Sequence, residues 1–512
     1  MIIDVNFKEL AGLLKARQSL EGVIEALDMF GTPVDSFDEN GLRVEVSPNR
    51  MDMVCTEGIA RSLNGFLGAE TGYPLWKVEP SDVEVRVKKS TIRPFLSFST
   101  VLGSRLSGEA VKSLMQMQEK LHTTVGRNRK KYSIGIYDLD KIEPPITYKE
   151  LSLNSIKFQP LEEESEMTGK EILKSNAKGR AYAHLVGKGK APVLVDSEGQ
   201  VLSMPPIINA DFCKVTPKTR NFFIDSTGTV EGTDGIVAIV ATALAERGGR
   251  LGVVTPGPSY LPRRMKLNLS YVNRILGLKL KKNEVVERLE RMRLGFDGDV
   301  LVPPYRLDIF GQIDIAEEVA IAHGYEKFKG EIPHSFSVGE PMGEKELENE
   351  VRKLMVGFGF VELKTFMLTS PLLLALCGPY ELGVSNPKSS EYSALRQSLL
   401  PGIFDVFLAN KDADYPQRVF EIGKVFTPSE ELRLAGMVAH AGAGFSGIKA
   451  VVDRFLSVFS INAKWEQGEH PFFMPGRTAV SDFGVYGEVF PGISERIGMP
   501  MAAFELNLER IL

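Results

Sequence analysis

The stretch from Pro303 to Tyr325, PPYRLDIFGQIDIAEEVAIAHGY, constrains this chain more than any other, because it crowds four carboxylates, Asp308, Asp314, Glu317 and Glu318, around one turn of backbone. Ile315, Val319 and Ala322 recur at helical spacing, which predicts a helix that starts near Asp314 and closes at Gly324, where a left-handed residue fits. On that helix Asp314, Glu317 and Glu318 stand at i, i+3 and i+4 and share one face of the first turn, with Asp308 one extended segment upstream. Two readings of the acids stand side by side. In one, Asp314 is the N-cap and Glu317 its reciprocal partner, and the positive end of the helix dipole favours all three. In the other, the crowded oxygens are neutralised by a hard divalent cation such as Mg²⁺, which takes few protein oxygens and keeps several waters.

The rest of the chain sets the frame for that choice. Its 512 residues predict three or four domains, at roughly 100–200 residues each. A hydrophobic content of 43% and a charged content of 25% match an ordinary globular protein. The net charge of −5 supplies no overall basic field, so any nucleic-acid contact must come from a local patch. Cys55, Cys213 and Cys377 are far apart and lack CxxC spacing, which argues against a zinc knuckle or disulfide framework and fits a reducing compartment. No apolar run approaches the ~18 residues of a membrane span and MIIDVNFKEL lacks a signal-peptide pattern, so a cytoplasmic protein with no membrane partner is expected.

Taken in order, residues 1–85 read as an N-terminal α/β module. MIIDVNF is β-prone, KELAGLLKA and SLEGVIEALDMFG are helical, and VCTEGIARSLNGFLG carries a core stripe of Ile59, Leu63 and Phe66. Arg50 and Asp52 are placed to pair. Residues 86–256 form a second domain: a helix, a cationic run of Arg127, Arg129, Lys130 and Lys131 read as a solvated loop or a phosphate contact, then successive strands from GRAYAHLV onward and a closing apolar helix. Residues 260–335 supply a strand, two amphipathic helices and a hairpin ahead of the acid-bearing helix. Residues 340–512 open with a helix and continue as strands.

P-x-x-R-x-D-I, followed by D-I-x-E-E-V-A and G-Y, resembles the metal-bearing module of the phenylalanyl-tRNA synthetase β-subunit family, archaeal and eukaryotic type. The resemblance implies that Asp308, Asp314, Glu317 and Glu318 bind Mg²⁺ jointly with an α partner. It extends along the chain. PPIIN at Pro205–Asn209, with YSIGIYDLD and YAHL, is similar to the family's editing domain, which hydrolyses tRNA mischarged with tyrosine. There Asn209, Asp211 and Asp234 are the polar side chains expected at the pocket, with Leu202 and Ser203 lining it. Where many relatives have an acid after TGT, this chain reads Val230 and Glu231, leaving Glu231 or Asp234 as stand-ins. A pocket that accepts tyrosine must reward its hydroxyl. No G-x-S-x-G and no Ser/His/Asp set appears, so water held by polar groups is the expected hydrolytic route.

SNPKSSEYSALRQSLLPG and QRVFEIGKVF resemble the class II synthetase catalytic sheet. Arg418 and Glu421 do not complete a nucleotide clamp, because no glycine-rich helix with a phosphate-binding Arg follows; Arg396, Arg477 and Arg510 carry structural readings. The implied whole is an α+β multidomain chain: an N-terminal α/β module, an editing domain, a winged-helix-like metal-bearing module and a class II catalytic-like antiparallel sheet domain. The implied assembly is an (αβ)₂ heterotetramer in which α binds ATP and phenylalanine and charges tRNA(Phe). A free-standing deacylase and a non-enzymatic RNA-binding scaffold are the competing classes; ATP-dependent charging that appears only with an α chain separates them from the main reading.

Overall fold

A computed structural model describes residues 1–187, 189–379, 382–427 and 429–510. The chain forms two compact units, Met1–Ile332 and Pro333–Leu512. Among the described residues no helix is long and apolar enough to cross a membrane.

The first unit is built on the helix Thr56–Phe66, every residue of which is buried. The apolar stripe of Ile59, Leu63 and Phe66 is thus only part of its packing surface. Two glycines let neighbours come this close. A Cβ at Gly58 would lie 1.8 Å from the carbonyl oxygen of Asp52, and one at Gly65 would lie 2.5 Å from that of Arg291. Around the helix one apolar cluster includes Ile3, Leu63, Ile236, Tyr305 and Ala322. This cluster draws on all three segments read from the sequence within the unit, while residues of the middle segment and of the acid-bearing module also form apolar clusters of their own, the first including Tyr148, Val193 and Leu202 and the second Val272, Leu289 and Val319.

Two five-stranded sheets make the middle of the unit. In one, Val78–Pro80, Arg250–Val253, Phe95–Leu102, Phe222–Gly228 and Tyr132–Asp138 lie side by side in that order. In the other the order is Ile208–Asn209, Val201–Met204, Lys190–Val195, Ile146–Ser152 and Val85–Val87. The helix Thr233–Ala245 is apolar almost all round and buried accordingly. GRAYAHLV departs from the expected strands: Ala177–Tyr182 is a helix capped by Asn176, whose side chain accepts from the Gly179 amide, and it runs into a 3₁₀ turn at Ala183–Leu185. Asn at a cap favours the helix strongly enough to override the local β pattern.

The second unit carries a seven-stranded sheet in the order Val361–Glu362, Gln417–Phe426, Glu430–Ala439, Met501–Asn507, Gly484–Val489, Phe473–Ser481 and Glu466–Gln467. All its pairs are antiparallel except Val361–Glu362 with Gln417–Phe426. Alternation at period two divides its core. Phe420, Ile422, Leu434 and Phe504 fall in one cluster with the helix Phe445–Val458 residues Val452 and Phe455; Ala435, Met437, Ala439 and Ala503 fall in the other with Ile403 and Phe404 of Leu400–Ala409. Arg396 and Glu421 form a buried pair, Nη1 to Oε1 at 2.6 Å, and Arg396 Nε also donates to the Lys424 carbonyl at 2.8 Å. Arg418 is exposed on its strand and Arg477 lies 4.0 Å from Glu488. These arginines carry structural roles or face solvent.

Gly58→Ala should unfold the first unit or cost more than the 1–3 kcal/mol of ordinary overpacking, because the obstacle is backbone. Denaturant unfolding of the variant measures this; a loss below about 1 kcal/mol would contradict the close approach.

Candidate functional site

The acid-bearing helix runs Gln312–His323, two residues earlier than its apolar spacing suggests, with Gly311 as N-cap. Asp314 sits inside the first turn instead of capping it. Its Oδ2 accepts the amides of Phe310 at 2.6 Å and Gly311 at 2.7 Å, so the reciprocal capping role expected of Glu317 belongs to Asp314. Asp308 and Glu318 turn inward onto Arg306, whose Nε and Nη2 donate to Asp308 Oδ1 and Oδ2 at 2.8 Å each. Arg306 Nη1 and Nη2 donate to Glu318 Oε2 at 2.9 Å and Oε1 at 2.7 Å. Burial opposes the Arg306 charge, yet Glu318 and Asp308 hold its pKa well above the ordinary value. Glu317 is exposed as a residue, but partial desolvation of its carboxyl, together with the neighbouring Glu318, Asp314 and Asp308, raises its pKa.

Mg²⁺ needs a near-octahedral shell of oxygens at about 2.0–2.1 Å. Asp308 and Glu318 give all four oxygens to one guanidinium, and Asp314 serves the helix start. Among the described residues no group of three or more His, Cys, Asp or Glu side chains is gathered to hold a metal ion. The four-acid Mg²⁺ set implied by the resemblance does not fit the site as arranged.

A second polar site lies in the middle of the unit. A cavity of about 380 Å³ is lined by His122, Glu119, Arg129, Gly135, Tyr137, Asn209 and Asp225, among others. Its floor follows from the strand register. Asp225 faces Gly135 across the ladder, and a Cβ at Gly135 would lie 2.0 Å from Tyr137 Oη and 2.1 Å from Asp225 Oδ1. Glycine leaves room there for a hydrogen-bonded chain in which Tyr137 Oη lies 2.8 Å from Ser203 Oγ and 2.5 Å from Asp225 Oδ1. Burial pushes the Asp225 carboxyl up to about 7, against the pull of Tyr137 and Arg93.

The wall of the cavity is cationic and histidine-bearing. Arg129 is buried, not solvated as its cationic run suggests, and occupies a left-handed turn with Arg127 and Asn128. Its Nη1 donates to the carbonyls of Pro206 at 3.2 Å and Ile207 at 2.8 Å, and its Nη2 to Glu119 at 3.0 Å. Arg93 fixes the same turn from beneath through the carbonyls of Arg129 and Lys131, at 3.2 and 3.3 Å. The His122 ring and Arg129 hold the Glu119 carboxyl down at about 2, while burial pulls His122 down to about 4. His122 Nε2 accepts the Ile134 amide at 2.8 Å, so this nitrogen is not available as a base.

Of the residues expected at the pocket, Asn209 lines the cavity and Ser203 joins its floor through Tyr137. Leu202 is buried in the adjoining apolar core. Asp211 and Asp234 are not among the lining residues: Asp211 pairs with Lys214 at 2.9 Å, and Asp234 accepts from Ser97 Oγ at 2.6 Å at the start of Thr233–Ala245. Glu231 is exposed. Asp225, Tyr137, Gly135 and His122 escape a reading of the sequence. One signal is present: an acid in the middle of FFIDSTG, a strand buried at every position.

The family model of the phenylalanyl tRNA synthetase beta chain CLM domain matches residues 332–508, and that of the tRNA synthetase B5 domain matches residues 265–325. The phenylalanine–tRNA ligase beta subunit of Methanocaldococcus jannaschii is 37% identical, over 99% of this chain and 100% of its own length. That of Archaeoglobus fulgidus is 36% identical, over 99% and 98%. The crystal structure of an N-terminal fragment of the Pyrococcus horikoshii phenylalanyl-tRNA synthetase beta subunit aligns with a TM-score of 0.60 and 37% identity, covering 63% of this chain and 99% of that one. Fold and matches together define a chain of the tRNA-charging ligases. More closely, the chain belongs to the family of phenylalanine–tRNA ligase beta subunits.

The raised carboxyl gives a pH dependence of known sign. The Asp225 pKa of about 7 lies above the unfolded value of 3.8, so between about pH 4 and 7 the folded chain keeps a proton that the unfolded chain has released. Stability falls as pH rises through that window, by up to about 4 kcal/mol, and the full penalty persists above it. Asp225→Asn should remove this slope, so its denaturation midpoint gains on the wild type between pH 5 and pH 8. Parallel pH profiles of the two would contradict the assignment.

Proposed function

We propose that this chain serves an (αβ)₂ phenylalanine–tRNA ligase in the cytoplasm. The α partner binds ATP and phenylalanine and charges tRNA(Phe), while this chain supplies assembly surface and proofreads Tyr-tRNA(Phe). Similarity over nearly the whole length of named β subunits supports the assembly. The cavity floored by Asp225 and Tyr137, the latter hydrogen-bonded to Ser203, supports the proofreading. In this reading the magnesium on which the family generally depends travels with ATP to the α partner.

Discrimination follows from what the floor offers. A phenolic hydroxyl reaching the free oxygen of Asp225 or the Asn209 carboxamide gains a hydrogen bond, whereas a phenylalanine ring would displace water from these polar groups and return nothing, at about 1–3 kcal/mol each. His122 Nε2 is committed to a backbone amide and so does not serve as the base for a hydroxyl nucleophile. In this reading ester cleavage falls to a water held among the cavity's polar groups and oriented by the Asn209 carboxamide that lines it. Asp211 and Asp234 act outside this first contact: Asp234 anchors the helix Thr233–Ala245 to Ser97, and Asp211 pairs at the surface.

Co-expressed with its α partner, the chain should give a complex that deacylates Tyr-tRNA(Phe). Gly135→Ala, which fills the floor, should slow deacylation by at least about tenfold while ATP-dependent charging with phenylalanine stays within about twofold. A complex that charges tRNA yet leaves Tyr-tRNA(Phe) intact removes the proofreading role and keeps the assembly. Full deacylation by Gly135→Ala displaces the pocket.

A further inference from the structure

The family resemblance assigns the four acids of the third module to a metal ion, and their geometry points elsewhere. Arg306 uses both edges of its guanidinium: one faces Asp308, the other Glu318, through four contacts of 2.7–2.9 Å. The three side chains are 1%, 7% and 4% exposed, so the pairing is closed off from solvent. Planar two-oxygen pairing of this kind matches Arg to carboxylate more strongly than a point charge would, and it satisfies all four inward-facing oxygens. A divalent ion placed among them would face a buried like charge. Asp314 is spent on the amides of Phe310 and Gly311, which leaves Glu317 as the one acid of the four that is exposed.

We infer that Arg306, not a divalent cation, is the counter-ion of Asp308 and Glu318, so that the acid-bearing module closes without metal and these two acids are not metal ligands. Arg306 is a positioning residue. It ties the extended segment carrying Asp308 to the helix carrying Glu318, and next to it Tyr305 packs under Arg61 of the N-terminal module, ring to guanidinium at 3.8 Å. The module's attachment to the rest of the unit then depends on this pairing and not on ionic composition.

The test uses the chain in complex with its α partner, free of nucleotide, with Mn²⁺ as the paramagnetic probe. Asp308→Asn and Glu318→Gln should each lower the melting temperature by several degrees and leave Mn²⁺ affinity within about twofold of wild type. Wild-type melting should be the same in EDTA as in Mg²⁺. Arg306→Met strips the counter-ion from the acids, and its melting should become Mg²⁺-dependent where the wild type's is not. Should Arg306→Met fail to fold, the carboxamide variants decide alone. A wild type destabilised by EDTA, a loss of about tenfold in Mn²⁺ affinity on Asp308→Asn, or unchanged melting in both carboxamide variants would overturn the inference.

Discussion

Arg61 lies where three stretches of the first unit meet. Its guanidinium stacks on Tyr305 at 3.8 Å, contacts Glu246 and Thr242 at 3.4 Å and approaches Asp52 at 3.9 Å, with the side chain 1% exposed. Its Nε and Nη2 make no hydrogen bond, so the Tyr305 ring and the nearby Glu246 and Asp52 carboxylates carry the compensation for its buried charge. Removing one partner from such a group costs about 3–5 kcal/mol, so the helices Thr56–Phe66 and Thr233–Ala245 and the segment carrying Tyr305 are held to one arrangement. Other arginines repeat the device. Arg247 reaches Glu57 and Glu9, Arg291 reaches the carbonyls of Phe66 and Ala322, and Arg293 reaches Glu70. Segments far apart in sequence thereby share one polar frame as well as one of the unit's apolar clusters.

The cavity inherits its shape from that frame and from one missing side chain. Arg93 and Arg129 fix the left-handed turn at Arg127–Arg129 through backbone carbonyls, and the turn in turn seats the loop at Pro206 and Ile207. Gly135 leaves the floor open where any other residue would press on Tyr137 and Asp225. Keeping a carboxyl buried there destabilises the fold above pH 7, the usual mark of a group retained for what it contacts and not for stability.

Local signals in the sequence carry the parts of the fold that local physics decides. Gly31 closes the helix Leu20–Phe30 in a left-handed conformation, and alternation in QRVFEIGKVF and its neighbours gives the antiparallel sheet. The acid-bearing helix is legible in type but not in its start, because Gly311 offers no side chain and the cap is made by Asp314 reaching backwards. Arg306 stands inside the motif, yet spacing alone does not reveal that it turns inward between Asp308 and Glu318. The cavity is hardest to read. Asp225 and Gly135 are far apart in the chain and meet only through strand register, and Arg129 resembles its exposed neighbours until the tertiary fold buries it. Asn209 and Ser203 are visible because they sit within one short segment.

If the buried arginine frame governs the first unit, its three parts must open together. Hydrogen exchange of the intact chain, followed on the helices Thr56–Phe66, Thr233–Ala245 and Gln312–His323, tests this most directly. One shared opening free energy for all three helices, lost together when Arg61 is replaced by Met, is the predicted result. Independent exchange of Gln312–His323, at a free energy unaffected by Arg61→Met, would contradict it.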